Sequence, residues 1–508
     1  MRRSVFLGSL LQGLPCEWVQ GGGDVPVTAL CEDSRRCDAG ALFVAVKGMS
    51  VDGHSFISDA IRRGVKAVVC ENPPEPLPPE CSIVRVPDTR VALAHIAHRF
   101  YGEPGTELRL VGVTGTNGKT TTTFFVRSVL EHAGIPTGIL GTTGAYFGAQ
   151  RRSLSHTTPT PIELAELLAW LRHQGAEAVA IEVSSHALEQ RRVEALRFAA
   201  VLFTNLTHEH LDYHGTMENY ARAKRRLFGL VLSDAVAVAC EMGDGWGTWM
   251  LEAALCSGKY RVGTGPEMDI QLRLQGVTRG GTCWQMRLPD IEGWAQFQSQ
   301  LVGEYNAYNA ALAVTLGWAW GIGLESLQEA VATTMPPPGR MDPIQLPNGV
   351  LALVDYAHTP DALERALKAV RQLVPEYGRL VCVFGCGGER DRAKRPQMGA
   401  IAAQWSDAIV LTNDNPRHEP PEHILSDILA GIPAVAQSKV LCVPDREMAL
   451  RTAVEMSRSG DVILVAGKGH EQHQILGDLR LPFSDREVLE RIAQSMSVVE
   501  CARSTSQS

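Results

Sequence analysis

No stretch of the 508 residues holds the roughly eighteen consecutive apolar positions that a membrane-spanning helix needs. The start, MRRSVFLGSLLQGL, places two arginines before an apolar patch, but Gly8, Gln12 and Gly13 break the patch and no small-residue cleavage site follows. It reads as a first helix and not as a secretion signal. The twelve cysteines include no C-x-x-C pair and no regular framework. That excludes a disulfide scaffold and leaves reduced, mostly buried thiols in a cytoplasmic protein. Basic charge is not in excess either. The formal net charge is −8, so neither nucleic acid nor an anionic membrane is an expected partner. No internal repeat of solenoid period occurs. What is present is an ordinary globular composition, 45% hydrophobic and 20% charged, in a chain long enough for about three domains.

The most informative stretch is Arg109 to Thr123, RLVGVTGTNGKTTTT. It predicts a short apolar strand, a glycine-bearing turn and a helix opening at Lys119. Such a turn aims backbone N–H groups, a lysine and a helix N-terminus at one spot, where polyphosphate binds. Lys119 would take the outer phosphates and the Thr120 hydroxyl a magnesium ion. The full G-x-x-x-x-G-K-[ST] pattern asks for glycine at 113, where this chain has Val113. The match is therefore to a shorter loop, Gly115-Thr116-Asn117-Gly118-Lys119-Thr120. The plain alternative is a glycine turn capping an ordinary helix.

Around this loop the chain alternates apolar strands with helices. Residues 1–105 carry a β-α-β rhythm without a nucleotide turn: strands at 41–48 and 65–70, with a helix at 55–64 between them. Asp33-Ser34-Arg35 and the loop from Gly48 to Gly53 are its polar features, which on their own read as solvated turns. Punctuation at 101–105 marks a linker. In 106–336 a helix is expected over 162–175, near-continuous apolar strands over 178–183 and 198–205, and a helix started by Asn306. Three prolines in Met335–Arg340 mark a second linker. Strands at 349–356, 380–385 and 461–467 then make a third α/β unit in 337–508, and the polar tail after Val499 reads as disordered. The fold class is α/β, with a central doubly wound P-loop sheet between two further α/β units, the last Rossmann-like. Ligands belong at the carboxyl ends of its strands.

Those strand ends are polar. One delivers the phosphate loop, another Glu182, Ser184, Ser185 and His186, and a third Asn205 and then Thr207-His208-Glu209-His210. A carboxylate and an imidazole beside a triphosphate suit magnesium binding and substrate orientation. Zinc is a weaker reading, because the H-E-x-x-H spacing fails at Asp212.

GTNGKTTT, EVSSHAL, a segment close to NLTxDHLDYHG, YARAKRRLF, GEYNAYNA, PGRM, DYAHTPDAL, GCGGERDRAKRPQM and DNPR occur here in the order found in the Mur ligases. The chain resembles that family from about residue 28 to 490. Within it, the chain is similar to the members that add the third residue of the peptidoglycan stem peptide. The departures are Glu209, where the family has Asp, and His208, where Arg or Gln is usual.

The resemblance implies an ATP- and Mg2+-dependent ligase acting on UDP-N-acetylmuramoyl-L-alanyl-D-glutamate through an acyl phosphate. A cytoplasmic monomer is expected. The resemblance implies that Gly115, Thr116, Asn117, Gly118, Lys119, Thr120, Thr121, Asn306, Arg340 and Asp355 hold ATP. Thr120, Glu182, His210 and Lys224 would hold metal, with Lys119, Lys224 and His210 catalytic. Lys224 otherwise reads as a solvated helix lysine. An ammonium about 5 Å from a divalent ion would be repelled by on the order of 6 kcal/mol at a dielectric near 20, and the resemblance implies that Lys224 is carbamylated. For the UDP-sugar it points to Glu32, Ser34, Met49, Ser50, Val51, His156, Thr157, Thr158, Ser184, Gln190 and Arg192. For the incoming amino acid it points to Arg390, Asp414, Asn415, Pro416, Arg417, Gly467 and Glu471. Family members that add lysine lack an arginine at the position of Arg417, so DNPR points to meso-2,6-diaminopimelate. The 337–508 unit, donating Arg340 and Asp355, would have to close over the central one. Two rivals remain: folylpolyglutamate synthase, which shares the short phosphate loop, and a nucleotide-dependent switch or transport ATPase.

Overall fold

The computed structural model describes residues 4–48 and 51–505. By contacts the chain divides into two compact units, one of residues 1–119, 130–262 and 315–322, the other of 120–129, 263–314 and 323–508.

Besides a two-stranded pair near the start, the first unit contains two larger sheets. One has five strands: Ala29–Cys31, Ala41–Val44, Ala67–Cys70 and Ser82–Arg85 run parallel, and Glu17–Gln20 closes the far edge antiparallel. Its inner strands are buried on both faces, as their unbroken apolar sequences require. The helix Thr89–Phe100 covers it. Asp88 caps that helix by accepting from the N–H groups of Arg90 at 2.9 Å and Val91 at 3.1 Å.

The other sheet carries the phosphate loop. Its parallel strands lie in the order Thr137–Gly141, Ala178–Glu182, Arg109–Thr114, Phe198–Phe203, Val231–Cys240 and Gly258–Gly263. The strand Arg109–Thr114 therefore sits between the two that deliver Glu182 and Asn205, with Glu182 opposite Val113 and Phe203 opposite Thr114. The chain leaves Arg109–Thr114 toward one side and later returns to the other, so the loop occupies the switch point of a doubly wound sheet. The expected helix at 162–175 runs Pro161–His173, begun by a proline whose missing N–H costs nothing at a first turn.

The second unit holds three antiparallel strands, Ile270–Thr278, Gly281–Arg287 and Ala295–Ser299. It also holds a six-stranded sheet whose parallel strands run in the order Leu351–Asp355, Val462–Ala466, Leu380–Phe384, Ala408–Leu411 and Val440–Cys442, with Asp342–Gln345 antiparallel at the edge. Residues 334–340 carry neither helix nor strand.

Several expected boundaries move. The first helix shrinks to Leu7–Leu11, because Val5–Phe6 pairs as a strand with Pro26–Val27. The strand expected over 41–48 ends at Val44 and the helix expected over 55–64 becomes a 3₁₀ turn followed by Ile57–Arg62. The helix expected to start at Asn306 begins at Glu304. The tail after Val499, expected to be disordered, is helical as far as Thr505, where the helix Asp485–Thr505 ends, since nothing in SVVECARST breaks a helix.

Candidate functional site

Gly115 and Gly118 have φ of 149° and 84°, which side chains rarely tolerate. At Gly115 space forbids one as well, because a Cβ there would stand 1.8 Å from Thr204 Oγ1. Val113, by contrast, is a fully buried strand residue with room for its side chain. The glycine missing from the long pattern falls on the strand, outside the turn. The Lys119 ammonium lies over the loop, donating to the carbonyls of Gly115 at 2.9 Å and Thr116 at 2.7 Å. Thr204 Oγ1 donates to the Asn117 carbonyl at 2.6 Å, and Asn205 Oδ1 accepts from the Asn117 N–H at 3.1 Å. The neighbouring strand end therefore shapes the turn.

Lys224 projects from the helix Met217–Arg225 into the same place. Its side chain is 1% exposed and its Nζ donates to Gly115 O at 2.7 Å, 4.3 Å from the centre of the Tyr220 ring. Burial, reinforced by Lys119, pushes its pKa well below that of a free lysine, against the pull of Glu209. The solvated-lysine reading is thereby corrected. A lysine held toward its neutral form has the lone pair that attack on CO2 requires.

Glu182 is 1% exposed. It accepts from Thr142 N at 2.8 Å and Thr142 Oγ1 at 3.0 Å, one bond to each oxygen, leaving acceptor capacity on both. His210 has φ 56°, and partial burial lowers its pKa toward the neutral, ligating form, opposed by Glu209 and assisted by Lys119 and Lys224. Among the described residues no three His, Cys, Asp or Glu side chains converge to hold a metal ion. The oxygens of Glu182 suit magnesium, a hard cation. The set fits it only with the Thr120 hydroxyl and a carbamate on Lys224 added.

A cavity of about 760 Å3 opens beside Glu32, Ser34, Val51, Gln190 and Arg192. Burial raises the Glu32 pKa, opposed by a hydrogen bond from Thr160 and by Arg192 and Arg36. Thr157, Thr158 and Ser184 do not line the cavity but are linked to its wall by hydrogen bonds. Arg192 Nη1 donates to Thr158 O at 2.6 Å, Thr158 Oγ1 to Ser184 Oγ at 3.3 Å, and Thr142 Oγ1 to Thr157 Oγ1 at 3.1 Å. Thr142 is the residue that holds Glu182, so the chain of bonds runs from the cavity to the strand end. His156 is exposed and bonds only Ser155 among the described residues. Met49 and Ser50 lie outside the described residues. Sequence reasoning missed Lys47, Arg63, Arg90 and Thr160 in the cavity wall. Isolated basic residues on helices and loops carry no spacing signal.

In the second unit, Arg340 Nη2 lies 3.5 Å from Thr120 Oγ1 and its guanidinium 4.9 Å over the Tyr356 ring. Asp355 accepts from the N–H groups of Met341 at 2.8 Å and Ala357 at 2.9 Å; its burial raises its pKa, and Arg340 opposes the rise. Asn306 is 3% exposed and donates to Val302 O at 2.8 Å.

The DNPR segment lies against the loop at 467–471. Asn415 Nδ2 donates to Glu471 Oε2 at 2.9 Å, and Lys468, fully buried, donates to Asn415 Oδ1 at 3.0 Å and Glu471 Oε2 at 2.9 Å. Gly467 has φ 115°, and a Cβ there would meet Asp414 Oδ2 at 2.6 Å. Arg417, φ 55°, donates through Nη1 to Gly388 O at 2.7 Å and has no acidic partner among the described residues. Glu419, the obvious surface partner, is 7% exposed and engaged by Arg395 and Arg392. Arg390 is exposed. Lys468 is a residue the sequence did not single out; a buried pairing with Asn415, 53 residues earlier, leaves no local pattern.

Three models of one family match the chain in order: "Mur ligase family, catalytic domain" at 26–101, "Mur ligase middle domain" at 113–317 and "Mur ligase, glutamate ligase domain" at 339–469. A protein of Geobacillus thermodenitrificans named UDP-N-acetylmuramoyl-L-alanyl-D-glutamate–2,6-diaminopimelate ligase is 41% identical over 95% of this chain and 98% of its own length. A solved structure of a ligase with that name is 30% identical, with a TM-score of 0.69 over 97% of this chain and 99% of the other. A folylpolyglutamate synthase of Thermotoga maritima shares the fold at 14% identity and a TM-score of 0.59, over 74% of this chain and 90% of its own. Among the described residues no helix is long and apolar enough to cross a membrane.

Proposed function

The chain belongs to the Mur ligase family, and from that premise we infer that it joins meso-diaminopimelate to UDP-N-acetylmuramoyl-L-alanyl-D-glutamate with ATP. The D-glutamate carboxylate is a poor electrophile. Transfer of the γ-phosphoryl group of ATP makes it an acyl phosphate; the amine of the amino acid then attacks the carbonyl carbon, and phosphate leaves with the old C–O bond. This chemistry needs positioning and charge neutralisation.

In this reading residues 1–105 take the UDP-sugar, 106–336 ATP and 337–508 the amino acid, in a monomeric cytoplasmic enzyme. Lys119 and the N–H groups of Gly115 to Thr121 hold the phosphates, with Asn306, Arg340 and Asp355 serving the nucleotide. Thr120, Glu182, His210 and a carbamylated Lys224 would hold magnesium, which neutralises charge on the transferring phosphoryl group when bound. Glu32, Ser34, Met49, Ser50, Val51, His156, Thr157, Thr158, Ser184, Gln190 and Arg192 receive the UDP-sugar substrate, in and around the cavity that Glu32, Ser34, Val51, Gln190 and Arg192 line. Arg390, Asp414, Asn415, Pro416, Arg417, Gly467 and Glu471 receive the amino acid.

The choice of amino acid rests on one observation: Arg417 is half-buried and makes no ion pair among the described residues. Diaminopimelate and lysine offer the same attacking amine and differ by one far carboxylate. A planar guanidinium holds that carboxylate through two parallel hydrogen bonds. With lysine the site would lose the charge-assisted pair, a mismatch that typically rejects analogues by about 10⁴-fold or more. Comparison of kcat/KM for the two amino acids in wild type and Arg417→Ala tests this. The variant should lose activity with diaminopimelate selectively, and a wild type preferring lysine would end the assignment. ATP turnover that is equally fast without the muramoyl dipeptide would end the ligase reading itself.

A further inference from the structure

The two arginines assigned to the amino acid stand on different loops, Arg390 after the strand Leu380–Phe384 and Arg417 after the strand Ala408–Leu411. Both loops contain residues in left-handed backbone conformation without being glycine: Glu389 has φ 54° and Arg417 φ 55°. Such residues persist only where their surroundings over-determine them. Arg417 is held through its main chain, its N–H donating to Ile475 O at 3.1 Å and its carbonyl accepting from Gly477 N at 2.8 Å, whereas around Glu389 the surroundings are largely one carboxylate. Glu419 Oε2 accepts from the Glu389 N–H at 3.0 Å and from Arg395 Nη2 at 2.8 Å, and Oε1 accepts from Arg395 Nη1 at 2.7 Å. Arg392 adds a contact to Oε1 at 2.9 Å. Arg395, from the helix Lys394–Trp405, is fully buried and also donates to Gly387 O at 3.2 Å. The main chains of the two loops are then joined directly. Gly388 N donates to Asn415 O at 2.9 Å and Arg417 Nη1 to Gly388 O at 2.7 Å. The approach is so close that a Cβ on Gly388 would stand 1.9 Å from Pro416 O.

We propose that Glu419, through Arg395 and the Glu389 N–H, is a positioning residue that fixes the Arg390 loop against the Arg417 loop and thereby sets selectivity for an amino acid with a second carboxylate. The proposal rests on the reading that Arg417 receives that carboxylate. Stability alone is a poor account of the pair, because buried ion pairs are often replaceable by apolar groups at no loss. What an apolar pair could not supply is an acceptor for the Glu389 N–H and a donor for Gly387 O, two of the bonds that tie the Arg390 loop down. The carboxyl of Glu419 is also held at about 2, chiefly by its hydrogen bonds from Arg395, so it keeps its charge across any working pH.

The test uses the full chain. KM and kcat are measured for meso-diaminopimelate and L-lysine, and KM for ATP and the UDP-linked dipeptide, in wild type, Glu419→Gln, Glu419→Asp and Arg417→Ala. Displacing a recognition group by about 1 Å can lose roughly 10- to 100-fold. Glu419→Gln is expected to raise KM for diaminopimelate and to lower its preference over lysine by that factor, with KM for the other two substrates within about twofold. Glu419→Asp keeps the charge on a shorter arm, and it carries the test if the glutamine variant does not fold. Its preference should fall by less. Unchanged preference in a folded Glu419 variant, or an equal rise in every KM, overturns the positioning role. If Arg417→Ala keeps the preference for diaminopimelate, the fault lies in the assignment of Arg417 and not in Glu419.

Discussion

Lys224 and Lys468 are buried to the same degree, at 1% and 0% exposure, in surroundings that could hardly differ more. Lys468 has an acceptor in each direction its ammonium points: Asn415 Oδ1 at 3.0 Å, Glu471 Oε2 at 2.9 Å and, more distantly, Asp414 Oδ1 at 3.8 Å. Lys224 has a single carbonyl, Gly115 O, an aromatic face and a second lysine as its electrostatic neighbour. One lysine is a countercharge that organises carboxylates. The other has only the pull of Glu209 set against burial and a second lysine, which disfavours its protonated form and readies it for modification. The same side chain thus does opposite work at the two ends of the proposed reaction, and the contrast predicts different responses to removal.

The largest effect is expected at Lys224. If its amine carries a carbamate that helps to hold magnesium, Lys224→Ala loses several kcal/mol of charge stabilisation, roughly 10³-fold or more in kcat. Short carboxylic acids should restore part of it by occupying the vacated anionic position. A 13C signal from labelled bicarbonate should appear on the wild type and vanish in the variant. Loss of activity without rescue, together with no label on the wild type, would leave Lys224 an ordinary buried amine.

Lys468→Met should behave differently. It leaves Glu471 and Asp414 without their countercharge, and breaking a buried pair typically costs about 3–5 kcal/mol. Urea unfolding should show that loss, KM for the amino acid should rise, and no carboxylic acid should help. Rescue of Lys468→Met by acetate would erase the distinction between the two lysines.

What could be read beforehand follows the same division. The phosphate loop was legible because its chemistry is local: Gly115, Gly118, Lys119 and Thr120 are consecutive, and left-handed glycines next to a helix start leave a spaced pattern. The strand ends were legible too, since apolar runs announce buried parallel strands and polar residues follow them, as Glu182 and Asn205 do. The helix beginning at Glu304 was placed two residues late because Asn306 resembles a cap, yet its side chain donates to Val302 O from inside the first turn. Lys224 read as a solvated lysine because its burial depends on the loop it meets, 109 residues earlier. Arg395 and Glu419 are 24 residues apart, and Asn415 and Glu471 are 56. Only the assembled sheet brings such partners together.

The smallest effect separates the two ends by acid. Glu419 ordinarily would titrate near 4.5 and is held at about 2 by the hydrogen bonds from Arg395, with the Glu389 N–H and the neighbouring arginine charges adding to it. Its folded pKa is depressed, so the unfolded chain takes up the proton first as pH falls. The stability Glu419 contributes is fully present above about pH 4.5 and is lost as pH drops through about 2. Between those limits the slope of unfolding free energy should contain a contribution of at most about one proton from this residue. Glu419→Gln should remove that contribution, whereas Lys224→Met, which touches no part of the amino-acid end, should keep it. Urea midpoints measured from pH 5 to about 2.5 in the three proteins give the comparison. If wild type and Glu419→Gln lose stability in parallel over that range, the carboxylate is not bound to Arg395 as tightly as its geometry indicates.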